Sequence, residues 1–253
     1  MIVTFLGTGT SQGVPVIGCE CPVCTSLDFR DKRLRSSIHI SVGGTSLVVD
    51  TGPDFRQQML RERITKLDAV LFTHEHKDHT AGLDDIRSFN FRQKKDMPIY
   101  GREHVIQQLK REFAYAFQEV KYPGVPSFEV KLINGSDFQV DGVTITPIDV
   151  LHYKLPVYGF RIDDFTYITD ANYISEEEKD KIRGSKVLVL NALQYEKHIS
   201  HYNVEEALAV VEELAPQKAY FTHISHKLGK HSEVEKRLPD NVFLAHDGLK
   251  IDM

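Results

Sequence analysis

Apolar residues come in short runs separated by polar turns, and the period of each run says what it forms. Ile2–Leu6, Ser37–Val42 and Thr45–Val49 are β-branched or apolar stretches of strand length. Gly43-Gly44 separates the last two and predicts a tight hairpin, because the favoured two-residue turn needs positive φ at both central positions. Further strand runs follow at Ala69–Thr73, Pro98–Tyr100, Val143–Val150, Tyr158–Ile162, Phe165–Thr169, Lys186–Leu190, Lys218–Thr222 and Val242–Ala245. Helical spacing dominates in three places. Val105, Ile106, Leu109, Phe113, Ala116 and Phe117 repeat through a segment ending near Val120. Ser175 opens a Glu-rich first turn, and Gly184 closes the helix behind it. Asn203, with Glu206 three positions on, reads as a cap ahead of the buried stripe Val204, Ala207, Leu208, Val211 and Leu214. Hairpins first and strand–helix alternation afterwards predict two mixed sheets with helices outside. Tyr122-Pro-Gly-Val-Pro126 is read as a surface loop, and residues 1–253 are expected to form one domain.

Composition narrows the class. With 253 residues, 41% hydrophobic and 26% charged, the chain can bury a sizeable core, which excludes disorder. The 31 basic and 36 acidic residues leave a net charge of −5, so a strongly basic nucleic-acid footprint is absent. Met1-Ile-Val-Thr-Phe-Leu-Gly7 has neither a basic start nor an apolar run of signal-peptide length, and no later run approaches the roughly 20 residues of a membrane span. A cytoplasmic protein without a membrane partner is expected. Cys19, Cys21 and Cys24 agree, being odd in number and too close for a disulfide framework.

The 12 histidines carry the chemistry. Thr73-His-Glu-His-Lys-Asp-His79 follows an apolar strand run, so its side chains gather at one sheet edge. Imidazole and carboxylate both suit divalent metals. His74, His76, Asp78 and His79 offer more donors than one tetrahedral ion uses, which points to two metals. His152, Asp170 and His223 each sit one or two residues beyond a strand and can complete the site.

His74-Glu-His76-Lys-Asp78-His79, with Asp50 in Val48-Val-Asp-Thr-Gly52, resembles the metallo-β-lactamase superfamily over essentially the whole chain. The resemblance implies a four-layer αββα sandwich. It implies that His74, His76 and His152 hold one metal, that Asp78, His79 and His223 hold the second, and that Asp170 bridges them. Asp50 would orient the metal-binding loop. Ligand chemistry leaves zinc, manganese and iron open for the pair.

Cys19-Glu-Cys-Pro-Val-Cys24 places three thiolates in one turn, and a closed zinc site wants a fourth ligand. His226, in Thr222-His-Ile-Ser-His226, is the candidate. The opening Gly7–Cys24, the Thr222–His226 stretch and Asn203-Val-Glu-Glu together resemble the phosphoribosyl cyclic phosphate phosphodiesterases of the carbon–phosphorus lyase pathway. In that family the three cysteines and the second histidine of the Thr-His-Ile-Ser-His stretch bind a structural zinc. The pyrroloquinoline quinone biosynthesis protein B family has a similar cysteine opening but a degraded metal motif.

Gly9-Thr-Ser11-Gln-Gly13 is a literal serine-hydrolase signature, but Val14-Pro-Val-Ile follows where a helix is required, so Ser11 is dismissed as a nucleophile. The expected reaction is opening of a small cyclic or diester phosphate, best matched by 5-phosphoribosyl 1,2-cyclic phosphate, by metal-activated hydroxide. The resemblance assigns the general acid to His201, with His198 as competitor, and implies a homodimer. Tyr153, Lys154 and Tyr158 flank His152 and are candidates for a second phosphate, while His39, His104, His231 and His246 are read as bystanders, the last two on surface loops. Two alternatives stand beside this reading. One is a ribonuclease Z-like nuclease, which would carry a basic arm not visible here; the other is a non-catalytic metal or cofactor carrier.

Overall fold

A computed structural model describes residues 1–120 and 122–253. The strands form two sheets. The first runs, in spatial order, Lys250–Asp252, Ile2–Gly7, Ser37–Val42, Thr45–Val49, Ala69–Leu71, Met97–Gly101 and Phe128–Leu132. The second runs Tyr173–Ile174, Val143–His152, Leu155–Ile162, Phe165–Tyr167, Val187–Asn191, Lys218–Thr222 and Val242–Leu244, with Phe138–Val140 paired on Val143–His152. Both are mixed, as the alternation of hairpins and strand–helix units predicts. Gly43 and Gly44 take φ 58° and 86° between the paired strands Ser37–Val42 and Thr45–Val49, so the hairpin forms where the double glycine placed it.

The sheets face each other across one apolar layer. Val3, Phe5, Ile38, Leu47 and Val49 from the first sheet meet Phe160, Phe165, Tyr167 and Val189 from the second. Two outer layers back them. Helices Phe55–Glu62 and Glu103–Glu112 lie over Leu6, Val48, Val70 and Ile99, and helix Val204–Leu214 lies over Leu188, Leu190, Ala219 and Phe221. This is the four-layer αββα sandwich that the sequence resemblance implies. Among the described residues no helix is long and apolar enough to cross a membrane.

Two local expectations need correction. The expected helix through Phe117 breaks at Phe113 (φ −110°, ψ 36°) into Glu103–Glu112 and Ala114–Phe117. Beyond the break, Phe117 packs on Phe128, at 5.2 Å between ring centroids. His231, read as lying on a surface loop, is 2% exposed. Its backbone N–H donates to Asp31 and its ring meets the buried Arg33 guanidinium at 3.1 Å, two partners some 200 residues away in sequence.

Candidate metal centres and active site

Every strand-end residue singled out from sequence arrives at one edge of the sandwich. Asp50 follows Thr45–Val49, the His74–His79 loop follows Ala69–Leu71, and His152 ends Val143–His152. Asp170 comes after Phe165–Tyr167, and His223 comes after Lys218–Thr222. Strand ends are where a sheet leaves backbone free to turn and side chains free to converge. Two glycines let the loops close on one another. A Cβ on Gly52 would stand 2.2 Å from the Asp78 carbonyl oxygen, and one on Gly82 would stand 2.1 Å from the Gly52 carbonyl oxygen. Thr51 N–H donates to His79 O and Gly82 N–H to Thr51 O, fixing that close packing.

Asp50 organises the histidine loop without joining the ligands. Its carboxylate accepts from Thr73 N–H (2.9 Å), Thr73 Oγ1–H (2.8 Å) and His79 Nδ1–H (2.7 Å). Burial pushes its pKa up, against the pull of His79. With its hydroxyl hydrogen given to Asp50, Thr73 Oγ1 accepts from His74 Nδ1–H at 2.9 Å. His152 Nδ1–H donates to Ser200 O at 2.7 Å. Each of these bonds ties down Nδ1 and leaves Nε2, with its lone pair, facing the cleft.

His74, His76 and His152 offer one donor set; Asp78, His79, Asp170 and His223 offer a second. His74 Nε2 lies 3.0 Å from His76 Nδ1. His79 Nε2 is 3.1 Å from Asp78 Oδ2 and 3.4 Å from Asp170 Oδ1, and His223 Nδ1 is 3.0 Å from Asp170 Oδ1. Two ligand atoms bound at about 2.0–2.1 Å to one zinc-like ion stand about 3.0–3.4 Å apart, so the spacing is that of a coordination shell. His79 Nε2 and His223 Nδ1 are buried without a hydrogen-bond partner, which a cation would remedy. Burial weighs against charge on both His79 and Asp170 but is outweighed. Asp170, Asp78 and Asp50 drive His79 well above its ordinary pKa, while His223 and His79 hold Asp170 well below its own. The donors fit divalent metal ions.

The cysteines make a separate cluster. Their three Sγ atoms lie 3.3, 3.4 and 3.5 Å from His226 Nδ1, for Cys19, Cys21 and Cys24 respectively. Sulfur and nitrogen on one tetrahedral zinc, at about 2.3 and 2.0 Å, stand about 3.5 Å apart, so this set fits the ion as well. The Cys24 N–H pointing at Cys21 Sγ lowers that thiol to about 6, favouring the thiolate that binds metal.

A cleft of about 630 Å³ opens beside the histidines, lined by His76, His152, Tyr153, Lys154, Leu155, Ile199 and Ser200. His201 Nε2 stands 3.4 Å from Asp170 Oδ2, whereas His198, exposed, meets His201 Nδ1 from behind at 3.1 Å. Tyr158 is buried under the Arg102 guanidinium, 3.7 Å above its ring, and does not line this cleft; Tyr153 and Lys154 do. Two polar residues had no role in the sequence reading. Thr73 orients His74, and Asn191 accepts from Ala171 N–H at 2.8 Å and donates to Ala171 O at 2.9 Å, clamping the residue after Asp170. Asn191 ends its strand as the candidate metal ligands follow theirs, so the same positional signal marks it.

Comparisons with known proteins place the fold in a family. A family model described as a beta-lactamase superfamily domain matches residues 45–224. A crystal structure of a new diphosphatase from the PhnP family superposes with a TM-score of 0.93 at 38% identity, over 100% of this chain and 97% of that one. An octanoyltransferase of Porphyromonas gingivalis is 36% identical over 97% of this chain, which spans 50% of that protein's length. The Zn²⁺-bound PqqB of Methylobacterium extorquens shares the fold, with a TM-score of 0.80 at 21% identity over the whole of both chains. With most of the sequence under one family model, the chain belongs to the β-lactamase superfamily and has the metallo-β-lactamase fold.

Proposed function

We propose that the chain is a dinuclear metal-dependent phosphodiesterase acting on a small cyclic or diester phosphate, with 5-phosphoribosyl 1,2-cyclic phosphate as the best candidate. The observation that carries this reading is the position of Asp170. It stands between two donor sets, within 3.4 Å of His79, His223 and His201, beside an open cleft. His74, His76 and His152 would hold one ion, and Asp78, His79 and His223 the other, with the Asp170 carboxylate shared. Bound there, two divalent ions supply an activated water and neutralise charge on the phosphoryl oxygens. His201 holds the proton for the leaving group: its Nε2 faces the cluster while its Nδ1 lies 3.1 Å from Ser200 Oγ. As the phosphorus–oxygen bond to the alkoxide breaks, Nε2–H protonates that oxygen. Similarity to a PhnP-family diphosphatase supports phosphoryl chemistry.

Cys19, Cys21, Cys24 and His226 would hold one zinc with no position left open, a structural site. Phosphorus NMR of 5-phosphoribosyl 1,2-cyclic phosphate with manganese-loaded protein and a chelated control tests the catalytic reading. Ring opening that stops on chelation is expected. Cyclic phosphate left intact by metal-replete protein that hydrolyses a nucleoside diphosphate offered in a parallel sample would move the substrate class to anhydrides.

A further inference from the structure

One five-residue stretch serves both ligand clusters. His223 faces Asp170 at 3.0 Å, and three residues later His226 meets the cysteine sulfurs at 3.3–3.5 Å. His223 sits at φ 55°, a left-handed conformation that a residue with a Cβ holds only where its surroundings impose it. Backbone bonds tie its flanks to neighbouring segments. Ala192 N–H donates to Thr222 O, Ile224 N–H to Thr8 O, Thr10 N–H to Ile224 O, and Ser225 N–H to Leu193 O. The same ladder continues inward: Leu193 N–H donates to Tyr202 O and Tyr202 N–H to Ala171 O, beside His201 and Asp170. The far end of the stretch is held by the cysteine loop, which has little packing of its own. Its buried apolar cluster consists of Val14, Val23 and Cys24, while Ile17 and Leu27 are fully exposed. A segment with so little apolar burial takes its position from its polar and covalent ties.

We infer that the cysteine cluster, once metal-bound, positions His223 for the catalytic cleft, so that its loss weakens metal binding there. This rests on the reading of Cys19, Cys21, Cys24 and His226 as a metal site. The four are positioning residues, acting through the backbone from His226 to His223 and, by way of Ser225 and Leu193, toward His201 and Asp170. Coupling runs through three peptide units, so no long-range network is needed.

Cobalt(II) loading tests it, because a sulfur-to-metal charge-transfer band reports the thiolate cluster while weaker ligand-field bands report the histidine–carboxylate cleft. Titrations would compare wild type, His226→Ala, His226→Cys and Ile99→Ala. The last removes buried side chain from the helix-covered face of the first sheet, bears no donor atom of either cluster, and controls for lost stability alone. His226→Ala is expected to lose the charge-transfer band and to bind cobalt in the cleft at least tenfold more weakly, the scale seen when an outer partner of a metal ligand is removed. His226→Cys, restoring a fourth ligand, recovers both, and Ile99→Ala changes neither affinity. Should His226→Ala fail to fold, Cys19→Ser, which retains His226, is read in the same way. A variant that loses the thiolate band yet binds cleft cobalt with wild-type affinity overturns the inference. Wild type without a thiolate band overturns it one step earlier, by removing the metal reading of the cysteines.

Discussion

The two sheets repeat one pattern. Reading each in the spatial order given above, three antiparallel pairings are followed by three parallel ones. In each, an aspartate stands beyond the strand where the pairing switches: Asp50 after Thr45–Val49 and Asp170 after Phe165–Tyr167, at φ 64° and 55°. The backbone device is shared, and the neighbours differ. Asp50 is held by two donors from Thr73 and one from His79, whereas Asp170 accepts from Thr169 Oγ1 at 2.6 Å and is otherwise ringed by imidazoles, those of His223, His79, His201 and His74 at 3.0–3.8 Å. A switch-point carboxylate can thus be spent on holding a loop or kept open for a ligand, and its first neighbours decide which.

Replacing each aspartate by asparagine separates the two roles, and Asp170→Asn should have the larger effect. It removes the charge both donor sets share, so kcat should fall by orders of magnitude and metal content should drop while the circular dichroism spectrum is kept. Near-normal turnover with full metal content would mean that Asp170 is no ligand. Asp50→Asn keeps the shape but disturbs the acceptor for His79 and Thr73. Metal affinity should weaken roughly 10–100-fold, and much of the activity should return in excess metal. If excess metal restores nothing, Asp50 belongs with the ligands and the contrast between the halves collapses.

Much of the convergence was legible from sequence because a candidate metal ligand shows two coincident signals: a donor-bearing side chain and a strand end. His152, Asp170 and His223 have both, and all three converge. Asn191 has the strand end without metal-donor chemistry, so it passed unnoticed although it clamps Ala171. Helix Phe55–Glu62 was not foreseen for a different reason. Its first residue follows Asp54, whose carboxylate caps nothing and instead binds Arg35, so the local start signal is missing and tertiary packing of Phe55 and Met59 holds the helix. His231 looked exposed because its partners, Asp31 and Arg33, are remote in sequence. Burial beside that guanidinium pushes its pKa down to about 3. What depends on distant pairing carries no local periodicity to read.

Asn191→Ala probes the second half's counterpart to the Asp50–Thr73 brace. It strands the buried N–H of Ala171, while the carbonyl keeps its bond from Tyr202 N–H, so a loss of about 1–3 kcal/mol is expected, seen as a drop in Tm of roughly 2–10 °C. Metal binding should weaken less than in Asp50→Asn, because no ligand nitrogen is released. Equal weakening would show that Asp170 depends on its neighbour's clamp as strongly as His79 depends on Asp50.

The smallest effect is expected where the halves differ in how their backing helices begin. Helix Val204–Leu214 starts on a full capping box, with Glu206 N–H donating to Asn203 Oδ1 at 2.8 Å and Asn203 N–H to Glu206 Oε2 at 3.0 Å. Helix Phe55–Glu62 starts without a side-chain cap. Asn203→Ala should therefore cost about 1 kcal/mol of stability, whereas Asp54→Ala should show no capping loss and act only through Arg35. Denaturant midpoints measure both. Activity is the sharper readout, since Asn203 lies two residues from His201. Tyr202 is anchored by Ala171 and Leu193, so kcat should survive Asn203→Ala nearly unchanged. A loss of kcat with metal content intact would mean that the cap, rather than the sheet-side backbone bonds, aims the proton donor.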